Sequence, residues 1–214
     1  MGDHAAGPLR VGQRRYPVRK WKRVATADGP RVRSALDVHE AALLRNLAES
    51  MLVLLDERES SAAPDELEEI TGMRTGNAEP PVEPTLRRLL PDFVHADGGT
   101  DGTEGAGSPA TDSLNAALRS LHEPLIIDAK RSAAQRLWDT VPDGGGRFEL
   151  TEDDAEAWVA AVNDMRLSLG VMLQIGPQGP ERLPADHPLA VHFDVYQWLT
   201  VLQEYLVVAL MGSP

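Results

Sequence analysis

The chain has no cysteine among its 214 residues. That absence excludes disulfides, thiolate metal sites, a cysteine nucleophile and sensing by thiol oxidation. Aromatic residues are few, with four Trp, three Tyr and three Phe. Long apolar runs are missing too. The most hydrophobic stretch, Leu206–Met211, is far too short to cross a bilayer, and Met1–Arg15 has no apolar core of a secretory signal. These features lead us to expect a cytoplasmic protein without a membrane partner. Catalytic patterns are absent as well. The histidines (His4, His39, His95, His122, His187, His192) form no HExxH or other ligand pair at helical spacing. The glycines at 144–146 lack the lysine and helix register of a phosphate-binding loop, and GxGxxG does not occur. We therefore expect no catalytic residue, metal or cofactor, and no enzyme.

What the chain does have is an uneven charge. Residues 1–35 carry nine Lys/Arg against two acids, whereas the remainder carries twelve against thirty-one, for an overall net charge of −12. A basic segment on an acidic body is suited to phosphate or to an acidic protein face.

Residues 1–17 show turn formers and charges without periodicity and read as a disordered basic tail. Between 18 and 36, apolar and charged residues alternate on either side of Thr26-Ala-Asp-Gly-Pro30, the pattern of a β-hairpin with Trp21 and Val32 as anchors. Asp37 and Glu40 form a capping-box pattern ahead of a helix to about Arg58, with Leu44, Leu47, Ala48, Met51 and Leu55 on one face. A short acidic helix is expected from Ala63 to Gly72, and another over Pro84–Leu90. Residues 95–110, rich in glycine and acids, should be a mobile loop. A helix capped by Thr111 or Asp112 should reach Leu121, with Pro124 marking a break or the start of a second helix to Thr140 striped by Leu125, Ile126, Ala129, Ala133 and Leu137. Arg147–Leu150 is the natural third strand, Thr151 caps a helix over Glu152–Leu173, and a last helix from Asp186 or His187 to Gly212 is apolar enough to be central. The expected fold is mainly α (α+β): one domain over 18–214, about six helices and a small N-terminal three-stranded antiparallel sheet.

Two clusters are candidate sites. Arg19, Lys20, Trp21, Lys22, Arg23, Arg31 and Arg33 could contact a partner protein or nucleic acid, with Lys20, Lys22, Arg31 and Arg33 as a cross-strand basic stripe; the plain alternative is a solvated hairpin. Any DNA contact should be weak and non-specific, because no recognition-helix pattern is present. Asn163, Asp164 and Arg166 interrupt an apolar helix, and Glu204, Asp194 or Gln203 on the last helix could answer Arg166. Asn163 and Arg166, three apart, share a face; Asp164 and Arg166, two apart, do not. This set is either a polar network pinning two helices or a small-anion pocket.

Val18-Arg-Lys-Trp-Lys-Arg-Val24, Pro84-Thr-Leu-Arg-Arg-Leu-Leu-Pro-Asp92, Val162-Asn-Asp-Met-Arg-Leu-Ser-Leu-Gly170 and Tyr196-Gln-Trp-Leu-Thr-Val-Leu-Gln-Glu204 together resemble an actinobacterial family, long catalogued only as a domain of unknown function and associated with the oxidative-stress transcriptional regulator AosR. The likeness spans about residues 18–212 and looks especially close to the mycobacterial members. It implies an α-rich cytosolic regulator of oxidative-stress and cysteine-biosynthesis genes, working with a stress sigma factor or RNA polymerase and without catalytic residues. A disulfide switch cannot be carried over to a chain that has no thiol. The rival readings are a helical ligand-binding or enzymatic domain centred on Arg166, and an adaptor with no nucleic-acid role.

Overall fold

The computed structural model describes residues 19–62, 72, 74–94, 108–176, 178, 179, 183, 184 and 186–212. The expected basic tail, the acidic helix from Ala63 as far as 71, short of its expected end at Gly72, and nearly all of the glycine-rich loop lie outside these residues. Among the described residues the chain forms β1 (Lys22–Thr26), β2 (Gly29–Leu36), α1 (Val38–Ser60), α2 (Pro84–Leu89), α3 (Pro109–Thr140), β3 (Gly146–Thr151), α4 (Glu152–Met172) and α5 (Ala190–Leu210). The architecture is mainly α, with five helices and one three-stranded antiparallel sheet in the order β1-β2-β3.

The sheet is built as the alternation predicts. Thr26 pairs with Gly29 across a two-residue turn, and Gly29 takes φ 103°, a conformation open to glycine without Cβ strain. Val32 and Leu150 face each other and are fully buried. Trp21 packs edge-on against Phe148 and Trp158, at 5.4 and 5.5 Å between ring centroids, and Phe148 stacks on Trp158 at 5.3 Å. These aromatic rings, few as they are, join the sheet to α4.

The expected capping box at Asp37 and the expected cap at Thr151 are both present. The Asp37 carboxylate accepts from the Glu40 amide at 2.8 Å while Glu40 accepts from the Asp37 amide at 2.7 Å. Thr151 and Asp154 repeat the arrangement at the start of α4. Glu40 is buried, and it also accepts from the Trp198 indole at 3.3 Å, which ties the first turn of α1 to α5.

Three expectations are corrected. Pro124 does not divide a helix: α3 runs unbroken from Pro109 to Thr140, capped by Ser108 rather than Thr111 or Asp112. Proline at 124 cannot donate to the Ser120 carbonyl, but the Gly76 amide does so instead, at 2.8 Å. Gly76 is needed there, since a Cβ would lie 2.9 Å from the proline ring. Continuity turns Leu125 out to 66% exposure and puts Ile127 in the core. The last helix begins at Ala190, after a turn in which the Leu189 amide donates to the His187 ring nitrogen. That helix is not the central one. α4 packs on α1, α2, α3, α5, β2 and β3, whereas α5 lies against α4 and β1 and leaves Val191 and Val208 exposed. Leu47 is half-buried beside the core, which is centred on Leu44, Ala48, Met51 and Leu55, and Phe193 is buried outside the main cluster.

Candidate functional site

The register of the sheet sorts the basic residues. Directly paired residues share a face. Lys22 opposes Arg33, which opposes Glu149; Val24 opposes Arg31, which opposes Thr151; Arg147 opposes Ala35. The outer face therefore carries Lys22, Arg31, Arg33 and Arg147 against one acid, Glu149, which pairs with Arg33 at 2.9 Å. Lys22 and Arg33 are like charges held opposite one another, an arrangement that costs stability. Arg19 and Lys20 are exposed just before β1.

The other parity faces inward. Trp21 is 6% exposed and belongs to the core, so it is not offered to a partner for stacking. Arg23 ion-pairs with Glu152 and donates to the Leu210 carbonyl at 3.1 Å, and so fastens β1 to the start of α4 and the end of α5. Arg147 is not among the basic residues singled out from the sequence; the third strand is expected beside the hairpin, but its register, which puts Arg147 opposite Ala35 on the basic face, cannot be read there.

The second cluster divides as its spacing predicts. Asp164 is buried and receives the Lys130 ammonium at 2.8 Å, on the α3 side of α4. Arg166 and Asn163 face the opposite way. Arg166 donates from Nε to the Thr200 hydroxyl at 3.0 Å and from Nη1 to the Gln203 amide oxygen at 2.5 Å, and its guanidinium lies 5.5 Å from the Tyr196 ring centroid. Gln203 gives its own amide N–H to the Val159 carbonyl, so its oxygen is fixed toward Arg166. Glu204 is exposed and makes no part of this set. Arg166 is half-buried, and its partners are neutral. It lines a cleft of about 520 Å³ together with Arg88 and Asn163.

A third polar group was not read from the sequence at all. Glu123 is fully buried and accepts from Arg58 Nε at 2.8 Å and from Arg119 Nη1 at 3.0 Å. Arg119 also reaches the Leu90 carbonyl at 3.1 Å and Asp92 at 2.5 Å, while Arg58 donates to the Glu79 carbonyl at 2.6 Å. Together with the Asn115 side chain, which accepts from the Phe93 and Val94 amides, these bonds hold segment 74–94 against α1 and α3. That segment carries α2 and therefore Arg88.

The cap of α2 responds to pH. Burial raises the Glu83 carboxyl's affinity for a proton, but hydrogen bonds from the Leu86 and Thr85 amides and the Thr85 hydroxyl outweigh it and hold the pKa below the usual value. A depressed folded pKa stabilises α2 above the unfolded value, and that contribution is lost as pH falls through the folded one. Glu83→Ala should cost about 1 kcal/mol at neutral pH, as loss of a helix cap does. In urea titrations the gap from wild type should close on acidification; a gap that is independent of pH would contradict this.

Among the described residues no three His, Asp or Glu side chains come together to hold a metal, and no helix is long and apolar enough to cross a membrane. The class of protein these elements define is a mainly helical domain with a small three-stranded antiparallel sheet, a basic sheet face and a cleft beside α4. More particularly, residues 18–210 match the family described as "Domain of unknown function (DUF2017)", and the chain belongs to that family. It is 69% identical over 196 residues to the protein named "Oxidative stress regulator AosR" from Mycobacterium tuberculosis (strain ATCC 25618 / H37Rv), covering 92% of this chain and 89% of that one. It is 64% identical over 208 residues to the "Putative oxidative stress regulator AosR" of Mycobacterium leprae, covering 95% of each. No solved structure matches.

Proposed function

We propose that this protein is a non-enzymatic regulator of the oxidative-stress response. In this reading it acts by contact between its basic sheet face and an acidic surface of a sigma factor or RNA polymerase, with cysteine-biosynthesis genes among its targets. The names of its mycobacterial relatives support the regulatory role. The observation that carries the mode of action is the sheet itself: four cations on one open face, and Trp21 turned into the core. Non-specific nucleic-acid grooves combine cations with aromatic platforms for bases. The outer face has the cations, but no described aromatic residue lies on it. Protein contact is therefore favoured over DNA contact. The input is not a thiol of this chain, so oxidation is sensed by the partner or falls on Met, Trp or Tyr here.

The test uses the intact protein and a variant with Lys22, Arg31, Arg33 and Arg147 changed to Gln. Each is titrated against a purified sigma factor and against duplex DNA at low and moderate salt. We expect the variant to lose sigma-factor affinity by roughly tenfold or more, with wild-type affinity falling as salt rises. DNA binding should be weak, micromolar or worse. Unchanged sigma-factor binding by the variant would sink the assignment of this face, and tight DNA binding lost in the variant would transfer it to nucleic acid.

A further inference from the structure

We propose that the cleft between α2, α4 and α5 binds a small organic acid, with its carboxylate between Arg88 and Arg166 and its apolar body along Leu167, Val171 and Ile175. The charge balance of the cleft carries this. Its described lining holds two guanidinium groups and no carboxylate, on a chain whose net charge is −12. Arg166 is half-buried, yet among the described residues its hydrogen bonds go only to a hydroxyl and an amide, which orient a cation without neutralising it. Arg88, on the exposed side of α2, makes no hydrogen bond or ion pair among the described residues. Elsewhere on this protein several buried or half-buried guanidinium groups have carboxylate partners: Arg58 and Arg119 share Glu123, and Arg131 lies between Asp56 and Glu59. Arg166, like Arg31 on the sheet, has none among the described residues, and a planar guanidinium with free N–H groups fits a carboxylate.

A second observation is independent of charge. α4 ends in a Schellman motif, in which the Ile175 amide donates to the Gly170 carbonyl at 2.9 Å and the Gln174 amide to the Val171 carbonyl at 3.0 Å. The residue after the cap takes a left-handed conformation, φ 52°, where glycine is favoured; here it is Gln174. Gln174 lines the cleft, as does Asn163. A strained amide kept at the rim of a cleft is the pattern of a residue held for its side chain. The volume, about 520 Å³, is that of a small-molecule site.

The experiment follows the methyl groups of Leu167, Val171 and Ile175 by NMR in the full chain, titrated with sodium hexanoate, with 1-hexanol and with inorganic phosphate. We expect saturable shifts with hexanoate below about 10 mM, little response to hexanol, and weaker binding of phosphate, which lacks the apolar body. Arg88→Gln, at an exposed position, should weaken hexanoate about tenfold or more without loss of fold. Gln174→Gly should relieve the backbone and raise thermal stability while weakening hexanoate. The proposal is overturned by the absence of saturable hexanoate shifts over that range, by equal binding of hexanol, by phosphate binding more tightly than hexanoate, or by Arg88→Gln binding as wild type does. None of these outcomes touches the basic sheet face, so the two proposals fail separately.

Discussion

Glu123→Ala is expected to destabilise the protein by about 3–5 kcal/mol, because it leaves the Arg58 and Arg119 guanidinium groups buried without their shared carboxylate. Both arginines would keep carbonyl partners, at Glu79 and Leu90, and Arg119 would keep Asp92. Those bonds do not replace the lost buried charge. In a domain of ordinary stability, about 5–15 kcal/mol, this is a fifth or more of the total. The loss should concentrate where the network acts, so amides of segment 74–94 should lose hydrogen-exchange protection before those of the sheet. A companion variant separates the cost of broken pairing from the worth of the pair. With Arg58→Met, Glu123→Leu and Arg119→Met together, much of the stability should return, since a buried ion triad is seldom more stable than well-packed apolar residues. Chemical denaturation of the two variants gives both numbers. A loss below about 1 kcal/mol for Glu123→Ala would mean that water reaches the triad and that it does not organise the segment.

Trp158→Ala should cost about 3–5 kcal/mol and lower the melting temperature by roughly 10 °C or more. The side chain is fully buried, stacks on Phe148, meets Trp21 edge-on and donates from its indole to the Thr140 hydroxyl at 2.7 Å. It therefore joins the sheet, α4 and the end of α3. Its removal should loosen the sheet and so weaken any partner held by the outer face, even though Trp158 itself cannot touch one. Thermal melts and sigma-factor titration of the same variant check both effects. Near-wild-type melting would show that the sheet is held by other contacts.

The parts of this fold that could be read from the sequence are those fixed by local chemistry. Asp37 with Glu40, and Thr151 with Asp154, announce helices because their hydrogen bonds span three residues. The hairpin shows in parity and in one turn, and the third strand follows because two strands alone make a poor sheet. Pro124 misled because the rescue of its lost hydrogen bond comes from Gly76, far away in sequence. The buried triad was invisible for a related reason. Asn115, Arg119 and Glu123 recur every four residues and look like a solvated stripe, yet Ile127 continues the same face into the core. On α1, Arg58 likewise follows Leu55 by three on the buried face. An apolar stripe extended by charged residues on two helices was the available signal. In the cleft, the opposite directions of Asp164 and Arg166 were legible from helical spacing, but Arg88 was not, because nothing local says that α2 lies beside α4.

The basic outer face of the sheet is most directly tested in cells. A strain lacking this protein is complemented with the wild type or with the Lys22, Arg31, Arg33 and Arg147 to Gln variant, at matched protein levels, and transcripts are measured before and after peroxide. The account predicts a variant that accumulates normally, since these side chains lie outside the core, and yet leaves the peroxide response as it is in the strain without the protein. Full restoration of the response by the variant would contradict it.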